Sequence, residues 1–318
     1  MGIFRDKIRL NQFKGSQDKP TRKFVLTDDC IKKHGVKLYR IKCIESFGKV
    51  EKGELGGYVE REDNLSQFGN AWVYDNACVY DNARVCENAR VKDNAEVCNN
   101  AWVLDSAKVY GNAKVCGNAW VTDFAKVYGD ALVCGNAWVT DFAKVYGDAL
   151  VYGDAKVFGY AKVYDKALVY GDANVSGNAE VSDKAMIYGN ANVFDNAEIL
   201  DKAQVYDHAC VFGDARISDK AQVYDHAYVS GDAKVYGDAR ISGNACIENI
   251  RQYYDFDCFI LGDNHVHVYM TKDKKIEITC GGFCGDIEAF EKIVKETVYK
   301  NHLQEMLAII KKRFGLDG

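Results

Sequence analysis

The sequence predicts an all-β solenoid in which short strands stack in successive coils. Two observations predict this fold. Alanine recurs every six residues from Ala71 to Ala245, and Val or Ile stands two residues after each alanine, from Val73 to Ile247. Together these positions define 30 consecutive six-residue repeats without an interruption. A fixed short period over more than half of a chain is typical of repeat architectures.

Each repeat is expected to contain one short strand and one corner. The alanine and the aliphatic residue are two positions apart, so their side chains point to the same side of a strand. Because these two positions hardly vary, they are predicted to face a narrow interior, while the variable residues between them face outward. The two positions before each alanine hold mostly Gly, Asn and Asp. These residues tolerate the positive φ that a sharp corner requires.

Three repeats are predicted to form one coil. The 18-residue segments 117–134 and 135–152 differ only at their last position, which is Cys134 in one and Tyr152 in the other. A duplication of this kind is tolerated when it adds a complete structural layer. The repeats therefore predict ten triangular coils, with a total length of about 48 Å at the usual spacing between strands.

The flanking segments are expected to cover the ends of the solenoid, because terminal repeats expose core residues unless they are capped. The predicted domains are a β-rich N-terminal cap, the solenoid and a C-terminal α+β cap, at residues 1–62, 63–249 and 250–318. In the last domain, alternating residues predict strands at 256–261, 265–271 and 275–279. Asp286 is expected to cap a following helix.

The repeats resemble the left-handed β-helix of the hexapeptide-repeat superfamily. Val73 with Ala77 and Val79 with Ala83 match its aliphatic residue followed four positions later by a small one. The resemblance implies left-handed coils and a homotrimer. The chain departs from the family pattern where Tyr follows the aliphatic residue, as at Tyr74.

The segments next to the solenoid carry a second resemblance. The run from Gly56-Gly57-Tyr58-Val59-Glu60 to Asn64-Leu65-Ser66 resembles the entry segment of YdcK-like transferases and of prophage-encoded β-helix proteins. The segment 280–285 resembles the tail of the same phage-associated group. The resemblance implies a product of a phage or mobile element that acts in the cytoplasm of a bacterial host.

Composition argues against several other classes of protein. The net charge is −5, and no segment is basic enough to indicate a nucleic-acid partner. The 12 cysteines include no Cys-x-x-Cys pair, and many of them occupy variable repeat positions, so neither a disulfide framework nor a structural zinc site is predicted. No signal sequence or membrane span is evident, and no cofactor is expected.

The histidines do not indicate an enzyme. Acyltransferases of the hexapeptide-repeat superfamily use a histidine base and loops that leave the coils, whereas these repeats contain no insertion. His208 and His226 are 18 residues apart and should stack at a corner. His265 and His267 share one strand face without evident further metal ligands. We therefore predict no catalytic residue and no metal site, and we keep an acyltransferase as an alternative.

One outward column is apolar and is the candidate trimer interface. Large exposed apolar stripes usually mark an interface. The candidate residues are Leu132, Leu150, Leu168, Met186, Tyr152, Tyr170 and Tyr188.

A second group of columns combines aromatic and cationic residues, and it is the candidate site for a host protein or a nucleotide ligand. Its residues are Trp102, Trp120, Trp138, Phe124, Phe142, Lys108, Lys126, Lys144 and Lys162. The alternative is that stacked aromatics only stabilise the solenoid.

A third column, which pairs Asp165 with Lys166 and repeats three more times, predicts a solvated edge of salt bridges. The sequence as a whole favours a non-enzymatic interaction or inhibitor protein, with an anti-defence role as one form of it. An acyltransferase and a structural spacer are the alternatives.

Overall fold

The structure is a computed structural model that describes residues 22–258, 264–280, 283–296 and 300–316. Its main body is a β-solenoid of stacked coils. Thirty two-residue strands, β4 to β33, recur every six residues from Trp72–Val73 to Cys246–Ile247. The chain visits three parallel sheets in turn, and each sheet receives ten of these strands. The all-β solenoid predicted from the repeats is confirmed.

Strands in neighbouring coils pair in register with an offset of 18 residues. Trp120 pairs with Trp138, and Leu132 pairs with Leu150. The three-repeat layer inferred from the internal duplication is therefore confirmed. Since the offset is constant, every outward position forms a straight column along the solenoid.

The interior consists of the invariant alanine and aliphatic positions. From Ala71 to Ile247, each of these side chains is fully buried. Burial of one valine side chain stabilises a fold by roughly 1.5–3 kcal/mol. The interior is therefore an uninterrupted hydrophobic column, and it makes the solenoid a rigid support for the residues outside.

The corners combine left-handed backbone with hydrogen bonds between coils. The first corner residue has a positive φ, as at Asp141 (58°) and Gly159 (69°). A Cβ at Gly159 would lie 3.0 Å from the backbone nitrogen of Gly177 in the next coil. At the second corner position, Asn side chains form ladders in which Asn100 Nδ2 donates to Asn118 Oδ1 over 3.0 Å. The Gly, Asn and Asp of the predicted corners thus have distinct roles.

The N-terminal segment extends the solenoid by part of a coil. Strands β1 (Phe24–Lys33) and β2 (Val36–Cys43) form an antiparallel hairpin that continues into β3 (Leu55–Val59). β3 pairs in parallel with the coil strand Cys78–Val79, and a 3-10 helix at Glu62–Asn64 follows.

This segment also covers the first coil. Trp72 occupies an outward repeat position, yet it is fully buried. The rings of Phe24 and Phe47 pack edge-on against it, with centroid distances of 6.2 and 5.5 Å. The N-terminal segment therefore acts as a cap.

The C-terminal segment covers the other end of the solenoid. It is a four-stranded antiparallel sheet followed by two helices. The elements are β34 (Tyr253–Cys258), β35 (Asn264–Met270), β36 (Ile276–Cys280), β37 (Phe283–Gly285), α1 (Ile287–Glu296) and α2 (Lys300–Phe314).

One face of this sheet places Tyr253 and Tyr269 on the core of the solenoid, and the other face places Val266 and Val268 against the two helices. Asp286 Oδ1 accepts the backbone N–H of Ala289 over 2.8 Å, so the predicted helix cap is confirmed. The glycines at 281 and 282, part of the segment that resembles phage-associated tails, lie outside the described residues. No helix in the described parts of the chain is long and apolar enough to cross a membrane.

Candidate binding groove

The outward columns divide the solenoid into three faces and three corners, which we name by their residues. The leucine face carries Leu132 and Leu150, the tryptophan face carries Trp120 and Trp138, and the lysine face carries Lys126 and Lys144. The chain passes from the tryptophan face to the lysine face at the aromatic corner, which contains Phe124, Phe142 and Tyr160. It passes from the lysine face to the leucine face at the Asp–Lys corner, which contains residues 165–166 and the pairs that follow them at intervals of 18. It passes from the leucine face back to the tryptophan face at the histidine corner, which contains His208 and His226.

A groove of about 540 Å³ lies where the aromatic corner meets the lysine face. It brings together five of the residues that the sequence proposed as a binding site: Phe124, Phe142, Lys108, Lys126 and Lys144. Its lining also contains Asn88, Arg90, Ser106 and Tyr160.

The aromatic side of this groove is an ordered stack of exposed rings. The ring of Phe142 lies between those of Phe124 and Tyr160, with centroid distances of 5.1 and 4.9 Å and nearly parallel planes. The two end residues are 54% and 59% exposed, whereas the central Phe142 is 44% exposed. Apolar surface of this kind on a rigid support favours contact with a ligand or partner.

The cationic side of the groove is one column of the lysine face. Within the described residues, none of Arg90, Lys108, Lys126 and Lys144 forms an ion pair. Partial burial and the neighbouring charges of Lys126 and Arg90 lower the pKa of Lys108. Four cations that repel one another, at a spacing of about 4.8 Å, make this strip favourable for an anion.

Lys162, which the sequence placed in the same site, is different. Its Nζ lies 2.6 Å from Glu180 Oε1, and this contact raises the pKa of Lys162. The charge of Lys162 is therefore neutralised within the chain. The unpaired part of the column ends at Lys144.

The tryptophan column does not line the groove. Trp102, Trp120 and Trp138 stack on the tryptophan face, with centroid distances of 5.4 and 5.5 Å. The aromatic corner lies between this face and the lysine face, in the order of the repeat positions, and the columns that line the groove are those of the corner and of the lysine face. The guanidinium of Arg84 lies 5.7 Å from the ring of Trp102, at one end of the column.

The leucine face presents the apolar column predicted from the sequence. Leu168 pairs with Met186 along the column, and the rings of Tyr152, Tyr170 and Tyr188 stack beside it at 4.9 and 5.0 Å. The side chains of this stretch are half-buried for the most part, with Tyr152 at 36% exposure.

The hairpin of β1 and β2 covers the same face nearer to the N-terminus. Lys33 Nζ pairs with Glu96 Oε1 at 2.6 Å, and Leu38 belongs to one buried cluster with Cys78 and Cys98. The apolar stretch of the leucine face begins two coils beyond Glu96 in the same column, at Leu132.

The histidines of the solenoid stack as predicted. The rings of His208 and His226 are 5.1 Å apart at the histidine corner. The backbone oxygen of His226 accepts a hydrogen bond from Lys272 Nζ over 3.0 Å, which ties this corner to the C-terminal cap. Among the described residues, no three His, Cys, Asp or Glu side chains are arranged to hold a metal ion.

Sequence reasoning missed a polar cluster on the C-terminal sheet. His265 Nδ1 lies 3.1 Å from both carboxylate oxygens of Asp255, and His267 Nδ1 lies 3.3 Å from Asp255 Oδ1 and from the Tyr253 hydroxyl. Burial, with a smaller contribution from His265, lowers the pKa of His267 to about 4, so its imidazole is neutral near pH 7. The sequence signal for this cluster was the alternation of residues in β34 and β35, which places Asp255 opposite His267 in the hairpin.

This cluster borders a larger groove of about 760 Å³ along the Asp–Lys corner. Its lining contains five aspartates and four lysines, so it has no excess of positive charge. The predicted edge of salt bridges is only partly present. Among the described residues of this corner, one ion pair is formed, between Lys220 and Asp238 at 3.3 Å. The carboxylate of Asp201 instead accepts the backbone N–H of Asp219 over 3.1 Å. The smaller groove at the aromatic corner is therefore the better candidate for an anionic ligand.

Comparison with known protein families finds no family model that matches the chain, and comparison with curated proteins finds no significant match. The fold and the groove together define a β-solenoid with a patterned outer surface.

Proposed function

We propose that the protein is a non-enzymatic binding protein that holds an anionic ligand or partner in the groove at the aromatic corner. The observation that carries this proposal is the juxtaposition of unpaired cations with exposed, stacked rings. Cations that lack acidic partners attract an anion, while the rings provide apolar contact area with little loss of side-chain entropy. Because both columns are fixed to the core, little ordering is needed on binding.

An acyltransferase, the activity that the family resemblance suggests, has less support. The coil strands recur every six residues without an inserted loop that could wall a site for an acyl donor. His208 and His226 are stacked on each other at an outer corner. We expect no release of free coenzyme A from acetyl-coenzyme A, and we expect the double variant His208→Ala with His226→Ala to retain ligand binding.

Three further parts of the proposal come from the resemblance to the hexapeptide-repeat superfamily and to prophage-encoded β-helix proteins. They are a left-handed hexapeptide-repeat solenoid, a homotrimer formed through the leucine face, and a phage or mobile-element origin. In this proposal the protein acts in the cytoplasm of a bacterial host as an inhibitor that sequesters a host protein or a nucleotide ligand. The apolar column from Leu132 to Met186 supports the trimer, because a homo-oligomer would remove it from water.

Retention on a heparin column, eluted with a gradient of sodium chloride, tests anion binding in the groove. The variant replaces Lys108, Lys126 and Lys144 with alanine. Its matched control replaces Lys166, Lys184 and Lys202 with alanine, which removes the same charge from the Asp–Lys corner. We expect wild type and control to elute at similar salt concentrations and the groove variant to elute much earlier. Equal shifts in both variants, or no retention of the wild type, would overturn the proposal and favour a structural spacer.

A further inference from the structure

The stack of rings at the aromatic corner has an open end. We call the N-terminal side of the stack its lower side and the C-terminal side its upper side. Below Phe124, the corresponding corner residue is Ser106 in the preceding coil and Asn88 one coil earlier. Both residues line the groove, and neither carries a ring. The lower face of the Phe124 ring therefore borders a slot one coil high, whereas both faces of Phe142 are occupied by its neighbours.

The slot is bordered by cations at the same level. Arg90 and Lys108 follow Asn88 and Ser106 by two residues, and they are the first two cations in the column of the lysine face. Asn88 Oδ1 accepts a hydrogen bond from Asn70 Nδ2 over 2.9 Å, which fixes the amide group. Its Nδ2 donates no hydrogen bond within the described part of the chain.

The upper end of the stack is not equivalent. Above Tyr160 the next corner residue is Asn178, which donates to Asn196 in the ladder of amides. The neighbouring cation at that end, Lys162, is paired with Glu180. An anionic ligand would meet a neutralised lysine at the upper end and unpaired cations at the lower end.

We propose that the slot at Ser106 binds the base of a purine nucleotide, stacked on Phe124, with the phosphates against Arg90, Lys108 and Lys126. This inference rests on the proposed function and specifies its ligand. The rings of the column stack at about 5 Å between centroids, which lies within the offset geometry that aromatic groups favour. A planar base at the level of Ser106 continues that column by one more member.

The geometry favours a single nucleotide over a nucleic-acid strand. Proteins that bind single strands offer separate aromatic surfaces to successive bases. Here the rings stack on one another, so the lower end offers one free face to one base. The groove of about 540 Å³ is also in the range of sites for small molecules.

Isothermal titration with ATP tests the proposal on the full-length protein, with GTP as a second purine nucleotide and inorganic triphosphate as the probe without a base. The decisive variant is Ser106→Phe, which fills the slot with the ring that the following two coils carry at this position. Its matched control is Asn178→Phe, which adds a ring at the upper end of the same column. Phe124→Leu removes the aromatic face but keeps a bulky side chain, and its control is Phe194→Leu, which makes the same change in a stacked ring outside the groove.

We expect wild type, Asn178→Phe and Phe194→Leu to bind ATP and GTP with similar affinity. Ser106→Phe and Phe124→Leu should each lose at least tenfold in affinity, while their weaker binding of triphosphate changes little. Circular dichroism would establish that each variant keeps its β spectrum.

The proposal is overturned if Ser106→Phe binds ATP as well as wild type does, because the slot is then not the site. It is also overturned if wild type binds no purine nucleotide at millimolar concentration. If that negative result accompanies the expected loss of heparin retention in the groove variant, the anion-binding function stands and its ligand is not a nucleotide. If heparin retention is also insensitive to the groove lysines, both the function and this inference fail.

Discussion

Asp141 Oδ2 accepts the backbone N–H of Gly159, one coil further along the solenoid, over 3.0 Å. Both residues have left-handed backbone, at φ values of 58° and 69°. Aspartate tolerates this conformation better than most residues, and glycine tolerates it fully. The same contact recurs between Asp93 and Gly111 over 2.8 Å. An aspartate at a corner therefore serves both its own turn and the turn of the next coil.

This arrangement predicts the order of stability of three variants at Asp141. Asp141→Ala loses the acceptor and places a less tolerant residue at positive φ, so we expect a cost of about 1–3 kcal/mol. Asp141→Gly loses only the side-chain acceptor. Asp141→Asn keeps both the acceptor and the tolerance of positive φ. Chemical denaturation should rank them as Asn, Gly and Ala, from least to most destabilised. Equal stability of the Ala and Asn variants would contradict the role of this side chain.

The 18-residue register predicts that whole coils can be removed. Deletion of residues 135–152 preserves every column, since residues 18 positions apart pair directly. Deletion of six or twelve residues from the same place moves each later column to another face and disrupts the corner ladders. We expect the first deletion to fold with a stability close to wild type by denaturation followed by circular dichroism. Equal destabilisation by all three deletions would refute the register.

Glu87 predicts a dependence of stability on pH. A hydrogen bond with Asp105, together with burial and the charge of Asp105, raises the pKa of Glu87 to about 7 from a usual value of 4.5. The protonated form is therefore favoured in the folded state. The resulting stability is fully present below pH 4.5 and is lost as the pH rises through about 7.

Glu87→Gln should remove this dependence, because glutamine mimics the protonated carboxyl at every pH. Thermal unfolding should show the variant gaining stability over wild type at pH 8 and little difference at pH 4. Asp172→Asn, at an exposed corner, is the control and should show no such gain. A Glu87→Gln gain of the same size at both pH values would contradict the assignment.

The leucine face predicts the effect of charge on assembly. Leu150→Glu with Leu168→Glu would place two carboxylates in the proposed trimer interface, where burial of unpaired charge is costly. Light scattering should then report a monomer that keeps its β spectrum. Lys156→Glu with Asn174→Glu places two glutamates on the tryptophan face of the same two coils and should leave the trimer intact. A trimer that survives the leucine-face change must use another surface.

The sequence predicted the solenoid and its columns because both follow from local period alone. The spacing of Ala77 and Val79 gives the inward face, and the duplication gives the register. Every later coil repeats the same short-range constraints. Prediction of the solenoid and its columns therefore does not require knowledge of contacts between distant segments.

The features that the sequence did not predict depend on such contacts. Trp72 has an outward repeat position, but the N-terminal cap buries it under Phe24 and Phe47. The contact of Asp255 with His265 depends on the register of one hairpin. The period places the Phe124 corner between Trp120 and the lysine column, but it did not show which of these columns line one groove.

Chemical footprinting of lysines tests whether the groove at the aromatic corner is the binding site. Wild-type protein is acetylated briefly with and without a heparin-derived oligosaccharide, and the modification of each lysine is measured by mass spectrometry. We predict that the oligosaccharide protects Lys108, Lys126 and Lys144, while Lys166, Lys184 and Lys202 remain as reactive as before. Equal protection of the two columns, or protection of the Asp–Lys corner alone, would contradict the assignment of the groove at the aromatic corner as the binding site.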